Sequence, residues 1–283
     1  MNIEEQYRKP NLASDPFFYF NSDELEANIT FVKEKKIENL MLISNSNGYN
    51  LKDLGFLHEL PFIKNIEMGA CQQIEKFDGL LSLSNLNTLV IAPNKKVKIN
   101  LSQLKNLKNL SLSYNPKIIG LEHLINLESL NISSGNDAFY NFEMFTNFKK
   151  LNTLKIVQAS ITDLTFLKEN NKLEHLEFSH MRKSFSIEGI QYLKNSLKKL
   201  KFISSKKIDN INLVSQLTEL NGLFFSESVK LDNAKVLKSL IKLEAFNMYG
   251  SSSFIDGDLR SLKEMRDTIK HYKVKNKKHY FYE

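Results

Sequence analysis

Leu107-Lys108-Asn109-Leu110-Ser111-Leu112-Ser113-Tyr114-Asn115 reads L-x-x-L-x-L-x-x-N. Leucines three apart suit a helix, but the step from the fourth to the sixth position has a period of two. Alternate side chains of a strand share a face. Leu110 and Leu112 therefore point one way, and Asn109 and Ser111 the other. A run of unrelated amphipathic helices would not switch period inside each phrase.

The phrase recurs along the chain. Its first anchors are Ile37, Ile63, Leu86, Leu107, Leu127, Leu151, Leu173, Leu197, Leu220, Leu243 and Ile269, 20 to 26 residues apart and 23.2 on average. Apolar residues follow at the fourth and sixth positions, from Leu40/Leu42 to Tyr272/Val274. The ninth position is Asn45, Cys71, Asn94 and Asn115, then Gly135, Ala159, Met181, Ser205, Ser228 and Ser251. A side chain that satisfies buried backbone is thus expected early and lost later, so the second half is expected to be looser. Leucines spaced by three between the strands (Leu51/Leu54/Leu57/Leu60, Leu101/Leu104, Leu121/Leu124, Leu164/Leu167, Ile190/Leu193, Leu213/Leu217) predict short 3₁₀ or helical turns.

This period and phrase resemble leucine-rich repeats, of the bacterial internalin-like kind, from Ile37 to Val274. The resemblance implies an α/β fold. It is a leucine-rich repeat solenoid of about eleven repeats, with a curved parallel β-sheet and a 3₁₀ or short helical convex side. Three segments are expected: an N-terminal cap at 1–36, repeats at 37–268, and a last strand with a C-terminal cap at 269–283. In the first, Asn21-Ser22-Asp23-Glu24 has capping-box spacing. A helix is expected over Ser22–Lys36 with Leu25, Ile29 and Val32 inward, below a plug of Pro16-Phe17-Phe18-Tyr19-Phe20. In the last, Tyr280, Phe281 and Tyr282 are expected to cover the final core layer.

The chain has 283 residues, 42% hydrophobic and 25% charged, which is ordinary for a folded protein. No stretch approaches eighteen apolar residues, and the first twenty carry no basic start with an apolar block. One cysteine makes no internal disulfide. The expected location is the cytoplasm, with no membrane contact. The net charge is +7, of which Arg260–Glu283 supplies +5 from eight Lys/Arg and three Asp/Glu. A solvated cap is preferred for that tail over a nucleic-acid arm.

No Gly-rich phosphate loop, G-x-S-x-G or H-E-x-x-H is present, so neither enzymatic activity nor a cofactor is expected. His175, Glu177 and His180 lack a fourth metal ligand, and no metal site is expected. Asp256 and Asp258 flank Gly257 as turn residues. The outward strand positions include Glu67, Asn109, Ser111, Asn131, Asn247 and Lys273. From the outward and rim positions, Tyr114, Lys155, His175, Glu177, Lys201, Phe224 and Tyr249 are singled out as partner-binding. Aromatics there have no core to fill, and with scattered charges they form the usual chemistry of a protein interface.

The expected function is therefore protein binding by a monomer through the concave face. The tail, Asp256-Gly257-Asp258-Leu259 and Lys277-Lys278-His279-Tyr280, resembles the ends of small cytoplasmic leucine-rich repeat proteins proposed as immunity proteins beside toxin genes. That resemblance implies an inhibitor that neutralises a cognate toxin, with Asp258 and His279 as cap residues. The alternative is a general or adhesin-like binding scaffold.

Overall fold

The computed structural model describes residues 3–8, 15–42, 50–69, 71–134, 142–205, 207–227, 229–265 and 268–281. The chain forms two compact units, Met1–Leu127 and Glu128–Glu283. Each is a ladder of strands joined by short turns.

In the first unit, Phe17–Phe20, Asn39–Leu42, Asn65–Met68, Thr88–Ile91 and Asn109–Ser113 pair in parallel in that order. Tyr7–Arg8 adds an antiparallel strand at the edge. The register stacks fourth-position anchors on one another: Phe18, Leu40, Ile66, Leu89 and Leu110 form one buried column. The expected aromatic plug is thus a strand of the ladder itself. Phe18 and Phe20 occupy the two anchor columns, and Tyr19 faces outward under the Arg8 guanidinium at 4.3 Å.

The N-terminal helix starts as a 3₁₀ turn, Ser22–Glu24, and continues as an α-helix over Leu25–Lys35. Ile29 and Val32 are buried, whereas Leu25 is only half-buried. Asn21 accepts the Asp23 N–H at 3.1 Å. The reciprocal bond comes from Asn28 rather than Glu24. The Asn28 oxygen accepts the Asn21 N–H at 2.9 Å, and its amide donates to the Glu24 carbonyl at 2.8 Å. A fully buried Asn one turn on serves where a capping-box Glu would stand.

The main ladder of the second unit holds seven parallel strands: Ser129–Ser133, Thr153–Val157, His175–Ser179, Lys199–Ile203, Gly222–Ser226, Ala245–Tyr249 and His271–Val274. Its sixth-position column turns aromatic. Phe178, Phe202 and Phe225 stack at 5.6 and 5.8 Å with ring planes within 18°. Phe246 meets Phe225 edge-on at 6.2 Å. The turns behind the strands are 3₁₀, as the leucine spacing predicts, for example Gly55–Glu59, Ile190–Leu193 and Ala234–Ser239. In Ile211–Gln216 the buried residues are Ile211 and Val214, followed by Leu217; Leu213 is only half-buried. Two-residue parallel ladders, such as Phe185–Ser186 with Ile208–Asp209, add pairing that the leucine spacing does not signal.

The turn leaving each strand differs between the units. In the first, the Asn94 and Asn115 oxygens accept the N–H groups of Lys96 and Lys117, each at 2.9 Å. Cys71 is fully buried, and burial pushes its thiol up to about 11. In the second, the eighth position is left-handed in five consecutive repeats. Gln158, His180, Ser204, Glu227 and Gly250 have φ of 55°, 56°, 48°, 66° and 62°. The first three donate their N–H to Ser179, Ile203 and Ser226 carbonyls of the next strand at 2.7–3.0 Å. The bend therefore comes from the backbone, and Ala159 and Met181 at the ninth position are simply buried, while the buried Ser205 hydroxyl donates to the Ile203 carbonyl at 3.2 Å. The strands from Ser129 to Tyr249 are each five residues long. After Gly250, Ser252 takes the buried place expected for Ser251, and its hydroxyl accepts the Val229 N–H at 3.1 Å. Asn45, Gly135 and Ser228, like most of the expected loop Ser44–Asn50, lie outside the described residues.

At the C-terminus, Tyr272 and Val274 continue the anchor register against Phe246 and Met248. They are not buried as the other anchors are: Tyr272 is 37% exposed. Tyr280 does reach the core. Its ring lies 6.2 Å from Phe254, and its hydroxyl accepts the Phe254 N–H at 3.0 Å. Phe281 is 44% exposed, contrary to the expected cover, and Tyr282 lies outside the described residues. A ring nitrogen of His279 is 3.0 Å from the Phe254 carbonyl oxygen. Asp258 grips Arg260 through two bonds of 2.8 and 2.9 Å, which hold its carboxyl down at about 2.

Candidate binding face

Alternation along a parallel strand sends the third, fifth and seventh positions outward. In the second unit the fifth-position column runs Asn131, Lys155, Glu177, Lys201, Phe224, Asn247, Lys273. Parallel strands lie about 4.8 Å apart, so neighbours in this column touch. The Lys155 ammonium is 2.8 Å from Glu177 and the Lys201 ammonium 3.9 Å. The Ser179 hydroxyl donates to the same carboxylate at 2.7 Å. Burial pushes the Glu177 carboxyl up, but bonds from Lys155 and Ser179 and the charges of Lys155 and Lys201 outweigh it. The net shift is downward, and Glu177 is a fixed anion.

On its other side Lys201 sits 5.5 Å above the Phe224 ring. That ring lies over its own strand. A Cβ added to Gly222, two residues earlier, would meet the ring at 2.8 Å. Glycine at an outward strand position thus lets an aromatic plate lie flat instead of standing up. Phe224 is half-buried for this reason. Tyr249, in the seventh-position column, is 37% exposed with the Lys273 ammonium 5.6 Å from its ring. His175 leads its strand in the third-position column, opposite Lys199. Burial first, then the Lys199 charge, lower its pKa, so the ring is neutral at pH 7.

Six of the seven expected site residues, Lys155, His175, Glu177, Lys201, Phe224 and Tyr249, therefore stand on one face of the second unit. Tyr114 belongs to the first unit, where it is half-buried and burial raises its phenol pKa. The outer face there is uncharged over much of its area. Its third-position column is an amide relay, with Asn65 donating to Asn39 at 2.7 Å and Asn39 to the Pro16 carbonyl at 3.0 Å. Lys199, Gly222 and Ile203 were not singled out from the sequence. Their strand positions marked them as outward, but one strand alone does not show which neighbours they meet.

The edge of the second unit carries two open grooves of about 600 and 380 Å³, both touching Lys198 and Glu219. Their charges satisfy one another. Lys198 pairs with Glu174 at 2.7 Å, and Lys242 with Glu219 at 2.6 Å. Among the described residues no three His, Cys, Asp or Glu side chains are grouped to hold a metal. No described helix is long and apolar enough to cross a membrane.

Ladders of this register and turn type occur in known structures. An internalin, inlF, from Listeria monocytogenes superposes with a TM-score of 0.65 at 23% identity, over 88% of this chain and 71% of its own. A leucine-rich repeat protein from Leptospira interrogans gives 0.62 at 20%, over 83% of this chain and 59% of its own. The fold is a leucine-rich repeat solenoid. More distantly, the plant peptide hormone receptor RGFR1, solved in complex with RGF2, gives 0.53 at 12% over 87% of this chain and 40% of its own. No family model matches the chain, and no curated protein does.

Proposed function

We propose that this leucine-rich repeat chain is a protein-binding module whose docking surface is the outward sheet face of Glu128–Glu283. The observation that carries the reading is the Phe224 plate on Gly222, beside Tyr249 and the Lys155–Glu177–Lys201 row. A rigid ladder presents these side chains already ordered, so docking loses little conformational entropy. Flat aromatics supply desolvated contact, and the charges around them set register and encounter rate. The RGFR1–RGF2 complex is a precedent for the fold receiving a peptide partner.

A narrower form of the proposal is a cytoplasmic, monomeric inhibitor that neutralises one dedicated toxin. It is supported by the C-terminal tail alone, where Asp258 and His279 bond within the cap. The general binding scaffold, with several partners, is the broader form.

The test is to isolate binding partners from the source organism, then titrate variants against the purified partner. Phe224→Ala and Tyr249→Ala should each weaken binding by about 1–3 kcal/mol. Their melting curves should stay close to that of the parent chain. Unchanged affinity in both variants, with loss on altering the edge groove at Lys198 and Glu219, would move the partner to the edge.

A further inference from the structure

The charges on this face do not cancel. Its third, fifth and seventh positions hold Lys155, Lys199, Lys201, Lys273 and Lys275 against a single carboxylate, Glu177. That carboxylate is already engaged by Lys155, Lys201 and Ser179. Among the described residues neither Lys199 nor Lys273 has a carboxylate within ion-pair distance. The two grooves at the edge differ, because each of their principal lysines has its own glutamate. Beside the unmatched lysines lie aromatic rings, Phe224 with Lys199 around Gly222 and Tyr249 at 5.6 Å from Lys273, neither of them fully buried.

Resting on the proposed binding face, we infer that its partner is an acidic protein segment with apolar side chains set among its carboxylates. Lys199 and Lys201 are two apart on one strand and point the same way. They match carboxylates about 7 Å apart, the spacing of alternate residues in an extended segment. The apolar side chains of that segment meet the Phe224 plate and Tyr249. A nucleic acid fits less well. Glu177 stands in the middle of the lysine row, where it would oppose a continuous line of phosphates. The face also has no arginine to grip phosphate with two bonds.

The experiment uses the full chain at 150 mM salt and three fluorescent probes: a twelve-residue Glu–Leu peptide, two copies of Glu-Ser-Glu-Ser-Leu-Ser, which sets Glu and Leu on one face of an extended segment, its Gln–Leu counterpart with Gln for Glu, and a twelve-nucleotide oligothymidine. Anisotropy should show the Glu–Leu peptide binding at least tenfold more tightly than the Gln–Leu peptide. The double variant Lys199→Glu, Lys201→Glu should weaken it at least tenfold. The control Lys168→Glu, Lys194→Glu carries the same change in net charge on the turns behind the sheet, and it should have little effect. Equal binding of the two peptides, or equal loss in both double variants, overturns the inference. So does tighter binding of the oligonucleotide that depends on Lys199 and Lys201. The native partner separates this result from the underlying reading. Sensitivity to Phe224→Ala and Tyr249→Ala but not to the lysine reversals sinks the acidic partner alone. Insensitivity to all of them removes the face itself.

Discussion

Glu67 is a carboxylate between apolar neighbours. Met41 and Val90 flank it in the ladder, and burial raises its pKa above the usual 4.5. A carboxyl raised on folding adds stability below its unfolded value, and that contribution is lost as pH rises through the folded value. At pH 7 the folded chain must therefore hold a partly desolvated anion. Glu67→Gln is expected to raise the urea midpoint at pH 7 and to bring little gain near pH 4. Urea titrations at the two pH values check it. A gain of equal size at both would show that shape, not charge, decides the effect.

The left-handed column belongs to the scale of the element, since it sets how each strand of the second unit ends. A residue with a Cβ in that region pays roughly 1–2 kcal/mol. Glycine avoids this but loses about 0.5–1 kcal/mol of chain entropy. His180 is exposed and donates only its backbone N–H to Ile203. His180→Gly should therefore stabilise the chain, by up to about 1 kcal/mol. Gly189 is the converse. It has φ of 99°, and an added Cβ would lie 2.4 Å from the Leu164 carbonyl carbon. Gly189→Ala should destabilise by about 1–3 kcal/mol. Thermal melts of both variants test the pair, and a fall in midpoint for His180→Gly would show that its side chain has a structural role.

At the scale of the whole molecule, stacked repeats share stability mainly with their neighbours. Phe202 is fully buried between Phe178 and Phe225. Phe202→Ala should cost about 3–5 kcal/mol. Amide exchange should rise first in His175–Ser179 and Gly222–Ser226, and less in Ser129–Ser133. Uniform loss of protection across all seven strands would instead make the second unit one cooperative block. The ladder itself was legible in the sequence because Leu110 and Leu112, and their counterparts, repeat a period only a strand explains. Phe17–Phe20, expected as a plug, does not announce itself as a strand because no first-position leucine precedes it. The left-handed turns were invisible because Gln158, His180, Ser204 and Glu227 are not glycine. On the candidate face, spacing identified Lys155, Glu177 and Lys201 as outward. The flat Phe224 depended on Gly222, a residue with no side chain to announce it.

The two kinds of turn also govern how such a chain grows. Arrays of this sort lengthen when a coil is copied and shorten when one is lost. Between Leu151 and Leu243 successive coils end alike, each backbone donor reaching forward to a carbonyl of the next. Any one of them can be duplicated or excised there and the cut ends still mate. A coil from the Leu86–Leu127 stretch ends on an asparagine that closes upon its own turn. Spliced among the others, it brings a bend held by a side chain to a place where its neighbours bend through the backbone. Changes in repeat number are thus expected within a unit, between coils of one kind, and each one added to the second unit widens the basic face by one strand.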